Sequence, residues 1–181
     1  MLTLRPAQAS DVPLILALIR ELADYEKLLH AVDATEEALQ AALFAEVPRV
    51  FCDIAEWDDG TQPAPAGFAL WFYNFSTFRG RHGIYLEDLF VRPEHRGRGI
   101  GKALLVQLAA RCVRERLTRL EWAVLDWNEP ALRFYRSLGA LGIKEWIPHR
   151  VTGEALETLA RLPITGVVAA TTPESPTRPR P

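Results

Sequence analysis

The stretch IYLEDLFVRPEHRGRGIGKALLVQL, residues 84–108, constrains the fold more than any other part of the chain. Its first eight residues read as a largely apolar strand, and Pro93 stops it by removing a backbone donor. Ile100, Leu104, Leu105, Leu108 and Cys112 then recur at the helical period, predicting a helix from about Gly99 to Arg116. A strand that turns through Gly97, Gly99 and Gly101 into an amphipathic helix needs a sheet to lie in and a face for the helix to cover. A layered α/β domain follows. The turn also carries a chemical bias. Backbone N–H groups at a helix N-terminus lack intrahelical partners, and the helix dipole favours negative charge there. Glycines let the backbone approach a ligand closely, while Arg96 and Arg98 add positive charge.

Two phosphate-binding patterns fail on this turn. A Walker A loop needs Gly where Arg96 stands and Ser or Thr where Ala103 stands. The dinucleotide fingerprint G-x-G-x-x-G fails too, because residues 97–102 read G-R-G-I-G-K. What remains is R-x-x-G-x-G over residues 96–101, directly after a strand.

The rest of the chain supplies the sheet. Leu2 to Arg5 predicts a short strand, and Ser10-Asp11-Val12-Pro13 opens a helix expected to run to about Leu29. Thr35 followed by Glu36-Glu37 starts a second helix. Strands are expected over 50–57 and 67–75, joined by the Asp/Gly/Pro turn 58–65, and again over 119–125. Asn128 to Leu138 reads as a helix stopped by Gly139, then 146–152 as a strand and 153–162 as a short helix. The chain has 181 residues, 49% of them hydrophobic, which suits one domain over 1–162. Residues 163–181, rich in Pro and Thr, read as a disordered tail.

Two further clusters bear chemistry. Asn128 can cap its helix, and Tyr135, seven residues on, returns to nearly the same face, so an amide and a phenol point together. Glu87 and Asp88 interrupt an apolar strand, where a carboxylate is costly unless it is paired, solvated or used. Strand alternation sends the two to opposite faces, so each is expected to act separately rather than as a dyad.

Taken with these clusters, YLEDLFVRPEHRGRGIGKALL followed by LDWNEPALRFYRSLGA resembles the GNAT superfamily of acetyl-CoA-dependent N-acetyltransferases. Within it the sequence is similar to the diamine (spermidine/spermine and thialysine) branch, from LRPAQASD through ELADYEK and NFSTFRGRHGIYLED to HRVTGEAL. The resemblance implies a mixed, mostly antiparallel sheet splayed between its fourth and fifth strands and flanked by about four helices. It implies acetyl-CoA as co-substrate, with Leu89, Phe90 and Val91 offering backbone groups to the pantetheine arm and Arg96, Gly97, Arg98, Gly99, Ile100, Gly101 and Lys102 cradling the pyrophosphate. Asn128, Glu129, Pro130 and Ala131 match a second coenzyme-contacting segment. Tyr135 matches the tyrosine that protonates the departing thiolate, and Glu87 the acid that takes a proton from the amine through water. Tyr25, Glu26, Glu87, Asp88, Glu145 and Trp146 are the expected acceptor contacts. Pro148 and His149 interrupt a strand that the polyamine enzymes continue, which leaves thialysine, lysine analogues and other small primary amines open beside polyamines.

The resemblance also implies a homodimer. Acetylation of a protein N-terminus or lysine is the competing enzymatic reading, and a non-catalytic acetyl-CoA sensor is the competing binding reading. A pure sensor needs neither Glu87 nor Tyr135. A formal net charge of −2 gives no general attraction to nucleic acid, and the four histidines show no metal-ligand spacing, so neither nucleic acid nor metal is expected. Cys52 and Cys112 read as buried thiols in a reducing compartment. The N-terminal residues show no leader and no window reaches membrane-spanning length, so the expectation is a cytoplasmic protein.

Overall fold

The computed structural model describes residues 1–163, so the proposed tail, Pro163 apart, lies outside the described residues. They fall into two compact units, Met1–Leu132 and the part from Arg133 onward.

The first unit holds a five-stranded sheet in sequence order: β1 (Leu2–Pro6), β2 (Phe51–Trp57), β3 (Ala64–Ser76), β4 (Arg81–Val91) and β5 (Leu120–Trp122). Neighbours are antiparallel except β4 and β5, which are parallel. This is the expected mixed α/β fold. Helices α1 (Val12–Tyr25) and α2 (Glu36–Leu43) lie on one face. There Ile15, Leu18 and Leu43 form a buried cluster with Cys52, Ile54, Phe68, Leu70 and Phe90. Helix α3 (Ile100–Arg114) covers the other face, where the Arg111 guanidinium lies 4.9 Å from the Trp71 ring centre. Trp71 in turn donates its indole N–H to buried Asp53 at 2.9 Å.

Local chemistry explains the helix ends. Thr35 caps α2 by accepting the Ala38 N–H at 3.2 Å. Asp11 stands at the N-cap of α1 but makes no side-chain cap bond to it. Its carboxylate turns back to Arg5 in a two-pronged pair at 2.6 and 2.9 Å and accepts the Gln8 N–H at 2.7 Å. Helix α1 also stops at Tyr25, before the expected Leu29. Lys27 takes a left-handed conformation, φ 63°, and the Leu28 N–H returns to the Ala23 carbonyl at 2.7 Å. That C-terminal closure is usually a glycine's task, and no glycine marked it in the sequence.

The β4–β5 ladder is short. It pairs only Ile84, Tyr85 and Leu86 with Leu120, Glu121 and Trp122, so the strand expected over 119–125 is cut to three residues. Beyond Leu86, β4 runs on to Val91 with no β5 residue beside it. The end of this pairing lies where the splay between the fourth and fifth strands was expected. Where β4 and β5 do run together they are close: a Cβ on Gly83 would stand 2.6 Å from the Arg119 side chain and 2.9 Å from its carbonyl.

Helix α4 (Glu129–Ser137) begins in the first unit and ends in the second, and α5 (Gly153–Ala160) belongs to the second. That makes five α-helices among the described residues where about four were expected. The strand expected over 146–152 is absent: these residues are exposed and join no ladder. Trp146, Ile147 and Val151 have strand propensity, but propensity without a partner edge does not make a strand, and Pro148 lacks a donor. A shallow depression on α5 is lined by Val151, Glu154, Ala155, Thr158, Leu159 and Leu162, none of them an expected site residue.

Candidate active site

The register of β3 and β4 decides the chemistry of Glu87 and Asp88. Asp88 pairs with Leu70 and Leu86 with Trp71, so Glu87 is an extra residue, a β-bulge. Leu70 and Trp71 are consecutive and point to opposite faces; their partners Asp88 and Leu86 must do the same. Glu87, following Leu86, therefore comes to the same face as Asp88. The sequence expectation that the two carboxylates point apart is corrected here. Alternation holds along a regular strand, and the bulge breaks it at the one place where it matters.

That shared face is the α1 face, and Glu26, just past α1, contributes to it. Burial, then the charge of Glu87, then that of Glu26 push the Asp88 carboxyl up to about 6. Burial also raises the pKa of Glu26. Three acids thus converge, with Glu87 exposed and Asp88 half-buried. Such a cluster repels its own charge and stabilises a cation brought to it.

The glycine-rich turn is built as the sequence suggested. Gly97 and Gly99 have φ of 77° and 80°, and Gly99 stands at the N-cap of α3 with no side chain bonded there. A Cβ at either would meet nothing within 4 Å, so the left-handed backbone, not crowding, calls for glycine. The first α3 N–H groups belong to Ile100, Gly101 and Lys102, since the Ala103 N–H already bonds the Gly99 carbonyl at 2.9 Å. The Ile100 and Phe90 side chains are buried at 1% and 4% exposure, which leaves those two residues only their backbones to offer a ligand. Leu89 and Val91 flank Phe90 on the part of β4 that has left β5.

The two arginines of the turn fold onto aromatic rings. Arg98 lies 5.0 Å from the Trp57 ring centre. Arg96 lies 4.6 Å from that of Tyr25 and 5.8 Å from that of Phe90, and its Nε donates to the Val91 carbonyl at 3.0 Å. Asn128 is buried, and its Oδ1 accepts both the Ala131 N–H and the Tyr25 hydroxyl at 3.3 Å. This is the helix cap expected of Asn128. Its bond with Tyr25 was not legible, because the two are far apart in sequence and on different elements. Trp127, whose ring centre lies 6.2 Å from that of Tyr25, was also missed; its place beside Asn128 in LDWNEP was the available signal. Glu129 and Pro130 are exposed at the start of α4.

Arg92 was missed as well. Just past β4, it binds Glu21 of α1 through two bonds of 2.9 and 2.7 Å and donates to the Pro65 carbonyl at 2.9 Å. In the second unit, Tyr135 is half-buried on α4 with its ring centre 5.3 Å from that of Phe134. Glu145 and Trp146 are exposed, Trp146 at 72%. No helix among the described residues is long and apolar enough to cross a membrane.

A splayed mixed sheet, a bulge where β4 leaves β5 and a glycine-rich turn into α3 define an acyltransferase-like architecture, and comparison with known proteins supplies the family. The profile of the Acetyltransferase (GNAT) family matches residues 16–140. The chain belongs to that family and is an N-acetyltransferase. It is 42% identical to the thialysine N-epsilon-acetyltransferase of Bos taurus over 164 residues, covering 87% of this chain and 96% of the relative. It is 32% identical to an L-ornithine N5-acetyltransferase of Arabidopsis thaliana, covering 89% of each. Among solved structures, an integron cassette protein from the mobile metagenome of V. cholerae superposes with a TM-score of 0.73 at 28% identity, covering 89% of this chain and 98% of the other.

Proposed function

We propose that the protein transfers an acetyl group from acetyl-CoA to a primary amine of a small cationic acceptor, an aminoalkyl compound of the thialysine, ornithine or polyamine kind. The observation that carries this reading is the convergence of Glu26, Glu87 and Asp88 on one face of the sheet at the bulge. The names of the relatives, which acetylate thialysine and L-ornithine, support an amine of this size.

The residues present suit the co-substrate. The uncapped α3 N-terminus with its left-handed glycines provides N–H groups for a pyrophosphate, and the part of β4 that has left β5 provides backbone groups for an amide-bearing arm. Acetyl-CoA supplies an activated acyl thioester. An alkylammonium, with a pKa near 10, is attracted by the acids but cannot attack until it loses a proton. Glu87 accepts that proton through water, with Asp88 and Glu26 holding the cation. The neutral nitrogen forms the C–N bond, backbone N–H groups stabilise the carbonyl oxygen as charge builds on it, and the C–S bond breaks. Tyr135 gives its proton to the departing sulfur and is restored by the second proton that the acylated nitrogen sheds. The enzyme works as a homodimer in the cytoplasm on this reading.

The test is release of free thiol from acetyl-CoA against polyamines, thialysine, ornithine, lysine and short peptides, with Glu87→Gln and Tyr135→Phe alongside. Turnover of a small amine that falls in both variants supports the proposal. Turnover confined to peptides, or acetyl-CoA binding with no turnover, overturns it in favour of a macromolecular acceptor or a sensor.

A further inference from the structure

We infer that Tyr25 is a positioning residue for the coenzyme-binding segments, a strut that ties the glycine-rich turn to the first turn of α4. The inference rests on the proposed use of those two segments to hold acetyl-CoA.

Tyr25 makes two contacts of different kinds. Its ring face receives the Arg96 guanidinium at 4.6 Å, and Arg96 is itself fixed by the bond from Nε to the Val91 carbonyl at 3.0 Å. Its hydroxyl donates to Asn128 Oδ1 at 3.3 Å, the same oxygen that caps α4 through the Ala131 N–H. The result is a continuous path from the end of β4 through Arg96, Tyr25 and Asn128 to α4. It joins the two stretches, 96–102 and 128–131, that sequence reasoning assigns to the coenzyme. It does so through a residue that the same reasoning assigns to the acceptor.

Each link limits what can replace the tyrosine. The Arg96 contact needs the face of a ring, since the attraction is between a cation and the ring's negative quadrupole. The Asn128 contact needs a donor at the far end of that ring. Asn128 Oδ1 is buried at its residue's 8% exposure, and with the hydroxyl gone it keeps only the Ala131 donor and has more freedom to turn. Arg96 thereby acts with its side chain held against Tyr25 and Phe90, leaving the turn's backbone N–H groups to face an anion.

The experiment is calorimetric titration of coenzyme A, which binds without turnover, into wild type, Tyr25→Phe, Tyr25→Leu and Arg96→Lys. The KM for acetyl-CoA and for the amine is measured in parallel. Tyr25→Phe keeps the ring and loses one neutral hydrogen bond, so coenzyme A affinity should fall about 3- to 10-fold, more than the amine KM changes. Tyr25→Leu should fall further, and Arg96→Lys, which keeps a cation over the ring, should fall less than Tyr25→Leu. If Tyr25→Leu does not fold, Tyr25→Phe alone decides. An unchanged coenzyme A affinity in Tyr25→Phe with a raised amine KM overturns the inference and makes Tyr25 an acceptor contact only, leaving the proposed function intact. A wild-type chain that does not bind coenzyme A removes both.

Discussion

Asp88 pays for its position in a way that pH can read. Its carboxyl ionises near 6 in the folded chain, raised by burial first and then by Glu87 and Glu26, against 3.8 for an unperturbed aspartate. A carboxyl whose folded pKa is raised favours folding fully below the unfolded value, and that contribution is lost as pH rises through the folded value. The Asp88 contribution to stability should therefore fall between about pH 4 and pH 6, and ionised Asp88 should cost on the order of 3 kcal/mol at pH 8. Asp88→Asn is expected to melt higher than wild type at pH 8 and at the same temperature at pH 3.5, read by thermal unfolding across that range. A bound cation reverses the penalty, so the amine KM should drop as pH rises through 6 in wild type, and Asp88→Asn should lack that limb. Glu87 differs from its neighbour by being exposed, which suits a group that exchanges protons with water. Glu87→Gln should lower kcat about 100-fold with coenzyme A affinity unchanged, measured by thiol release and calorimetry. The presence of an acid pair in IYLEDLFV was legible in the sequence, but the pairing of the two acids was not. It depends on which residue of β3 each one meets.

At the scale of elements, two chain reversals carry the site. Gly99 holds φ at 80° to start α3, a conformation that costs an L-residue about 1–2 kcal/mol. Gly99→Ala should lose about that much stability in urea unfolding and bind coenzyme A more weakly, because relieving the strain swings the first N–H groups of α3. Asn128 starts α4 by accepting the Ala131 N–H, and Asn128→Ala should cost about 1 kcal/mol in the same measurement. Both elements were legible because their signals are local: alternate glycines before a helical period, and an Asn-x-Pro start. The ends that went astray had no local signal. Helix α1 closes through a left-handed Lys27, and β5 stops after Trp122, where its pairing with β4 ends.

On the scale of the whole molecule, the sheet is stabilised from both faces, α1 and α2 on one and α3 on the other, with Phe68 completely buried in the α1-side cluster. Phe68→Ala should destabilise by about 3–5 kcal/mol in urea unfolding, while Trp146→Ala, at a position 72% exposed, should change stability by less than about 0.5 kcal/mol. The sequence by itself determined the order of the five strands' segments, the strand–turn–helix unit and the family, since these rest on hydrophobic period and on residue types that only certain backbones tolerate. The absence of a strand over 146–152 lay beyond it, because a strand exists only where another edge bonds to it. The tertiary structure alone decided that Glu87 and Asp88 share a face with Glu26, that Arg92 grips Glu21, and that Tyr25 meets Arg96 and Asn128. Those contacts join residues distant along the chain, and which ones meet is set by strand register and helix placement, quantities that no single segment encodes.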